Sequence, residues 1–443
     1  MDAGMMEFEY PGAFIERVAG QLQDGMPGFL RALNEKPLRG IRFHSTKKCR
    51  LDEIEGIGEV IPWEKQARYL SLESNAGSLL WHEIGAYYIQ EPSAMIPAKV
   101  MNAHPGEKIL DLCAAPGGKS TQLAADLRGE GLLVSNEPVP KRAQILSRNM
   151  ERMGVINSLV ISAYPDLIAE QWPEGFDGVQ TDAPCSGEGM FRRHPETRAE
   201  WTPENARGCA ERQMQILDAA AKLVRPGGRI VYSTCTMNPQ ENEEVVERVL
   251  SRHPEFEPEA FTLDGGICAP QGAIMIWPHL YKGEGQFVAK LRKKGDGEAI
   301  LPENKSFRNT DPSEIRLIKD FEPDAPQVTG KLGNTYFSLA ECPETGRLKV
   351  MRAGLHLGEA RGKIFVPDHA WAIADKAPNI ASVELDRLAA VRWLNGETAE
   401  GENRGWVTVR YDGLPIGWGK GSDGIIKNHY PRGLRKVLTS ETE

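Results

Sequence analysis

The sequence predicts an α/β fold: a mostly parallel sheet with helices on both faces, a helical or mixed region before it and a small domain of short strands after it. Three observations carry this reading. Between about residues 105 and 235, short apolar runs rich in Val, Ile and Leu alternate with stretches of helical spacing. Gly- and Pro-rich turns separate several of these runs. With 443 residues, 40% hydrophobic and 26% charged, the chain can bury a core, and at roughly 150 residues per domain it should form about three domains.

In chain order, residues 1–100 form the N-terminal region. Pro11-Gly-Ala-Phe-Ile-Glu-Arg-Val-Ala-Gly-Gln-Leu22 has helical periodicity, with proline where helices start. Residues 101–292 hold the alternating pattern. Lys108-Ile-Leu-Asp-Leu-Cys113 reads as a buried strand and 120–127 as the helix after it. Residues 131–137 give a second strand, and a helix runs from about 140 to 153. Residues 158–162, 175–181 and 228–233 supply further strands, and the Pro226-Gly-Gly turn ends a helix near 204–224. Polar, irregular residues 293–312 read as a linker. In the last region, 313–443, Asp412-Gly413 signals a hairpin turn after Gly405-Trp-Val-Thr-Val-Arg-Tyr411.

Seven cysteines, at 49, 113, 185, 209, 235, 268 and 342, are widely spaced and contain no CxxC pair. They fit neither a disulfide framework nor a zinc ribbon, and no His residues show metal-ligand spacing, so no metal is expected. No apolar run approaches the ~18 residues of a membrane span, and residues 1–14 lack a signal pattern. A soluble, cytoplasmic protein is expected. The net charge of −9 weighs against a nucleic-acid partner, but it is an average over the chain. Residues 31–50 hold seven Lys and Arg against one acid, Glu35. That segment is either a solvated surface or a phosphate-contacting face.

Asp111-Leu-Cys-Ala-Ala-Pro-Gly-Gly-Lys-Ser120 closes the first strand and opens a helix. Its small residues allow close backbone approach to a ligand at the carboxyl edge of a parallel sheet; a tight structural turn is the alternative. It lacks the spacing of a dinucleotide or phosphate-cradling loop. Glu137, ending the second strand, is placed for ribose hydroxyls. The fourth strand ends in Asp182-Ala-Pro-Cys-Ser-Gly187, and another in Ser233-Thr-Cys-Thr236. If those strands are parallel neighbours, Cys185 and Cys235 emerge together in polar turns rather than in the core. Cys49, Cys209, Cys268 and Cys342 have no motif around them and are expected to be buried fillers.

Cys113-Ala-Ala-Pro-Gly-Gly-Lys119, Asp182-Ala-Pro-Cys-Ser-Gly187 and Ser233-Thr-Cys-Thr236, in this order, closely resemble the Nop/Sun family of RNA cytosine-C5 methyltransferases. The resemblance covers roughly residues 90–290. Glu188-Gly-Met-Phe-Arg192 and the tail from Gly417-Trp-Gly419 through Lys427-Asn-His-Tyr-Pro-Arg-Gly-Leu434 extend it to the bacterial small-subunit ribosomal RNA branch, which carries a C-terminal portion similar to a PUA domain.

The resemblance implies a Rossmann-like catalytic domain, RNA-binding flanks, and S-adenosylmethionine as cofactor. The cofactor would lie over Cys113, Ala114, Ala115, Pro116, Gly117, Gly118 and Lys119, with Glu137 on the ribose, Arg142 beside it and Asp182 near the methionine end. Where the family often places a polar residue for the adenine, this chain has Ser162-Ala-Tyr-Pro165, with Asp166 a little late. Cys235 is the implied nucleophile at C6 of cytosine and Asp182 the partner of the N3/N4 edge, as proton donor or shared-proton partner. Cys185 would aid elimination, and Lys119 would sit beside the thiolates. RNA contacts are expected from residues 31–50, from Lys290-Leu-Arg-Lys-Lys294, and from Lys427, His429, Tyr430, Arg432, Arg435 and Lys436. Phe191 and Arg192 are candidates to flank the flipped base. The implied substrate is small-subunit (16S) ribosomal RNA, acted on by a monomer. Transfer RNA as substrate and a non-catalytic RNA-binding or assembly factor remain as alternatives. A generic Rossmann oxidoreductase is disfavoured by the glycine pattern.

Overall fold

The computed structural model describes residues 9–305, 307, 310–374 and 377–435. Arg39–Phe43 (β1), Ile57–Ile61 (β2), Glu64–Leu70 (β3) and Tyr87–Gln90 (β4) form an antiparallel sheet in the order β2-β3-β1-β4. The central sheet follows, with Lys108–Asp111 (β5), Leu132–Asn136 (β6), Ser158–Ser162 (β7), Phe176–Asp182 (β8) and Val224–Thr234 (β9) parallel at its centre, ordered β9-β8-β5-β6-β7. Its middle strands are apolar on both faces because helices cover both: Leu110, Leu132 and Val134 enter one core, Ile109, Leu133 and Val160 the other.

Two antiparallel strands flank this parallel centre. Gln286–Lys293 pairs with β9, and Lys349–Ala353 pairs with β7. The second comes from the C-terminal region, so that region completes the central sheet. Two smaller sheets lie in the same region, one of four strands and one of five. In the latter, Asp412 and Gly413 both have positive φ, +49° and +75°, as the two-residue hairpin turn requires.

Strand order places the site. The chain runs outward from β5 through β6 to β7, then crosses back to β8 on the other side of β5. The crevice beyond the carboxyl ends of β5 and β8 is therefore a topological switch point, where open α/β sheets bind ligands. Asp111 is level with Gln180, and Asp182 with Ser233, so the loops after β5, β8 and β9 open on one edge. The N-terminal helices Gly12–Leu22 and Met26–Asn34 cap that edge from outside. Phe14, Val18 and Phe29 pack there with Phe191, Trp201 and Met237.

The cationic run at 31–50 is divided: Arg42 and Lys47 are buried and Arg39 half-buried, contrary to a surface role, whereas Arg31, Lys36, Lys48 and Arg50 are exposed. Arg42 is 2% exposed and donates to the Gly118 carbonyl at 3.2 Å and to Thr121 Oγ1 at 2.8 Å. Lys47 is buried on the carbonyls of Ile84 and Arg152, and Arg39 holds that of Leu72. Lys36 and Arg50 pair with Glu73 and Asp412. Arg42, Lys47 and Arg50 join the N-terminal region to its neighbours, while Lys36 and Arg39 bond within it. Arg42→Ala is accordingly expected to destabilise the protein by about 2–3 kcal/mol, the scale of lost hydrogen bonds to a buried charge, measured by chemical denaturation. An unchanged unfolding midpoint would refute that structural role.

Candidate active site

The loop after β5 is tied down through its carbonyl oxygens. Asn136 Nδ2 donates to Leu112 O at 3.0 Å, Arg142 to Ala115 O at 3.1 Å and Asn149 Nδ2 to Pro116 O at 2.8 Å. Gly117, at φ +116°, turns the chain into helix Gly118–Leu127. A Cβ there would lie 3.2 Å from Leu146, and one on Gly118 would lie 3.1 Å from the Gln90 amide. The glycines are needed where backbone meets side chain, and the first helical N–H groups face the crevice.

Beneath this loop Asp111 accepts from Ser120 Oγ at 2.6 Å, and Ser135 donates on to Ser120. Burial pushes the Asp111 carboxyl up to about 7. Its Oδ1 has no partner among the described residues. At the end of β6 Glu137 is buried: Oε1 accepts the Val139 N–H at 2.9 Å and Oε2 meets Arg142 at 3.2 Å. A glycine cradle, an orphaned carboxyl oxygen and an acid at the adjacent strand end suit a ligand with a cationic amino-acid end and a ribose diol, as S-adenosylmethionine has.

On the other side of the switch point lies the Lys119–Asp182 pair. Lys119 Nζ is 2.7 Å from Asp182 Oδ2, while Oδ1 accepts from Ser233 Oγ at 2.7 Å and Gln286 Nε2 at 3.2 Å. Burial works against the Lys119 charge, but the Asp182 carboxylate outweighs it and holds the ammonium above its ordinary range. Asp182 takes three donors in this structure, from Lys119, Ser233 and Gln286.

The two thiols meet. Cys185 Sγ and Cys235 Sγ are 3.3 Å apart. The hydrogen bond to Cys235, and then burial, raise the Cys185 thiol well above its usual range. Either sulfur can be the donor of this contact. Burial also raises the Cys113 thiol, which fits a backbone contribution to the loop.

Several expected contacts lie elsewhere. Phe191 is fully buried against Phe14, at 5.2 Å between ring centres, and Arg192 is buried on Glu284 at 2.7 Å. Neither is free to flank a base. Lys290 and Arg292 pair with Glu259, Lys293 with Glu174, and Lys294 holds the Pro254 carbonyl. Tyr430 is buried, and Arg435 donates to its carbonyl. Lys427, His429 and Arg432 are exposed, and Lys436 lies outside the described residues. Cys268 is exposed, because strand Ile267–Ala269 alternates and turns it outward; Cys49, Cys209 and Cys342 are only half-buried. Tyr164 and Asp166, where the adenine contact was left open, are both exposed.

Sequence reasoning missed Ser233, Gln286 and Asn149. Ser233 had a signal, standing two residues before Cys235 at the end of β9. Gln286 had none, reaching Asp182 only because its strand returns antiparallel beside β9.

The described residues contain no helix long and apolar enough to cross a membrane and no group of three His, Cys, Asp or Glu that could hold a metal. Residues 98–292 match the family model for 16S rRNA methyltransferase RsmB/F. Residues 10–92 match the N-terminal domain of 16S rRNA methyltransferase RsmF, 315–374 its first C-terminal domain and 381–436 its PUA domain. The ribosomal RNA small subunit methyltransferase F of Aliivibrio salmonicida is 32% identical, with 96% of this chain and 97% of that one aligned. Its counterpart from Klebsiella pneumoniae is 31% identical over 96% of both chains. Among solved structures, a methyltransferase homologue from Pyrococcus horikoshii is 28% identical with a TM-score of 0.56, covering 65% of this chain and 96% of that one.

Proposed function

The chain belongs to the ribosomal RNA small subunit methyltransferase F family, and we propose that Cys235, Cys185, Asp182 and Lys119 carry that family's reaction here, S-adenosylmethionine-dependent methylation of cytosine C5 in small-subunit ribosomal RNA. The carrying observation is the thiol pair at 3.3 Å beside the Lys119–Asp182 ion pair, at the switch point of the sheet.

C5 of cytosine is a weak nucleophile, so it must first gain electron density. The thiolate of Cys235 adds to C6, and the π electrons move toward C5 and N3. Asp182 accepts from the exocyclic N4–H while the Lys119 ammonium donates toward the ring, stabilising charge as it builds. S-adenosylmethionine, held by Cys113–Lys119 with Glu137 and Arg142, would supply the methyl sulfonium that the activated C5 attacks. The C5 proton and the C6–sulfur bond must then be lost. Cys185 gives its proton to the departing Cys235 sulfur and takes the C5 proton in its place; Cys235 then loses its proton to solvent, which accounts for the one proton the reaction releases and regenerates the thiolate.

Cofactor binding is assigned to the loop Cys113–Lys119 with Glu137 and Arg142. Glu137→Ala is expected to weaken S-adenosylmethionine binding by about 10- to 100-fold, the scale of hydrogen bonds to a carboxylate, read by calorimetric titration. Affinity within about twofold of wild type would remove Glu137 from the ribose contact.

The surface around Trp406 supports an RNA role for the C-terminal region. His429 lies 4.5 Å from the Trp406 ring and Lys420 is over it at 5.4 Å, with Lys427 and Arg432 exposed nearby in sequence. Aromatic rings and cations together suit an unstacked base and its phosphate. Action as a monomer in the cytoplasm belongs to the same reading. Bisulfite sequencing of small-subunit RNA from a strain lacking the gene tests it: one or more cytosines should lose their mark, and the gene should restore them. Loss confined to transfer RNA would move the activity to that substrate, and no loss anywhere would leave a binding factor.

A further inference from the structure

The loops that carry the two thiols are fastened together almost residue by residue. Cys185 meets Cys235, and next to them Ser186 Oγ meets Thr236 Oγ1 at 2.9 Å. Farther along, Gly189 donates its N–H to the Cys235 carbonyl at 2.8 Å. Under this seam lies Glu241, fully buried. Its Oε2 accepts the Ser186 N–H at 2.9 Å and Gln213 Nε2 at 3.0 Å, and its Oε1 accepts the Ser186 hydroxyl at 2.5 Å. Gln213, on helix Pro203–Leu223, also donates to the Pro184 carbonyl at 3.0 Å. The residues on both sides of Cys185 are thus tied to one Gln213–Glu241 unit. Glu241 is itself fixed to the strand leading to Cys235, since Tyr232 OH donates to its carbonyl at 2.5 Å.

We infer that Glu241 is a positioning residue for the reaction: through Ser186 it holds Cys185 Sγ against Cys235 Sγ and so sets the proton exchange that releases the methylated base. The inference rests on the roles given above to the two thiols. Glu241 acts through Ser186 and needs no contact with RNA or cofactor. A hydrogen bond between two sulfurs depends steeply on their separation, and a displacement of about 1 Å in a reacting group costs on the order of 100-fold in rate. A carboxylate is required because it must accept three donors, two from Ser186 and one from Gln213. An amide of the same shape would turn one acceptor into a donor facing another donor.

A double-mutant cycle tests this in the full-length protein with an RNA substrate. Glu241→Gln is expected to lower turnover by about 10- to 100-fold, leave KM for RNA unchanged, and increase the share of protein covalently bound to RNA on a denaturing gel. Ser186→Ala keeps the main-chain bond and is expected to show the same pattern at about 3- to 10-fold. In a Cys185→Ala background either change should alter turnover by less than about twofold, because the coupled group is already gone. Should Glu241→Gln not fold, the Ser186→Ala cycle decides alone. Equal losses in both backgrounds, or a rise in KM without added adduct, would overturn the inference. If Cys185→Ala traps no RNA at all, the thiol assignment itself fails and the inference falls with it.

Discussion

Cys235→Ala protein is expected to bind RNA and S-adenosylmethionine normally, yet to methylate on the order of 10⁴-fold more slowly and form no covalent adduct. Without sulfur addition at C6, the pyrimidine C5 has no means of reaching enamine-like reactivity, so the loss falls on the chemical step. Cys185 cannot take over. Its thiol is held well above the usual range by its hydrogen bond to Cys235 and by burial; with Cys235 gone the burial remains. The substitution should also be structurally mild, since Cys235 is half-buried and the loop keeps the Gly189 N–H bond to its carbonyl. Single-turnover transfer of a labelled methyl group measures the effect. A rate above about one-hundredth of wild type would remove Cys235 as nucleophile.

How much of this was legible in the chain depended on which physical signal each residue left. Strands β5 to β9 were readable because buried parallel strands are continuously apolar, and the boundaries at 158–162 coincide with Ser158–Ser162. The convergence of Cys185 and Cys235 followed from treating β8 and β9 as parallel neighbours, and their register places Asp182 opposite Ser233. Charge runs were the misleading signal. Arg42 and Lys47 look like surface cations in the sequence, but a long aliphatic stem lets either be buried when carbonyl oxygens meet its head. Phe191 failed for a related reason: an aromatic beside a reactive loop can stack on a base or anchor the loop, and its packing partners Phe14 and Phe29 are distant in sequence. Gln286 and the strand Lys349–Ala353 depend on long-range pairing, which periodicity cannot report.

Cys185→Ala is expected to do the opposite of Cys235→Ala: RNA should accumulate bound to protein through Cys235, while net turnover falls about 10²- to 10³-fold, the range for loss of a positioned proton-transfer group. Addition to C6 and methyl transfer need only Cys235 and the Lys119–Asp182 pair, which the substitution leaves in place. Release needs a proton for the departing sulfur and a base for the C5 proton. In the proposed scheme one thiol, 3.3 Å from the Cys235 sulfur, would serve both ends of that exchange. Its raised range sets the pH dependence: the thiol stays protonated as pH rises past about 8.5, the ordinary cysteine value. Release by the wild type should therefore remain flat from about pH 7 to about 9. In the alanine variant release passes to solvent and should quicken with rising pH, as hydroxide replaces the missing base. Denaturing gels of the variant with RNA and S-adenosylmethionine measure the adduct directly. An adduct trapped by Cys235→Ala but not by Cys185→Ala would exchange the two roles.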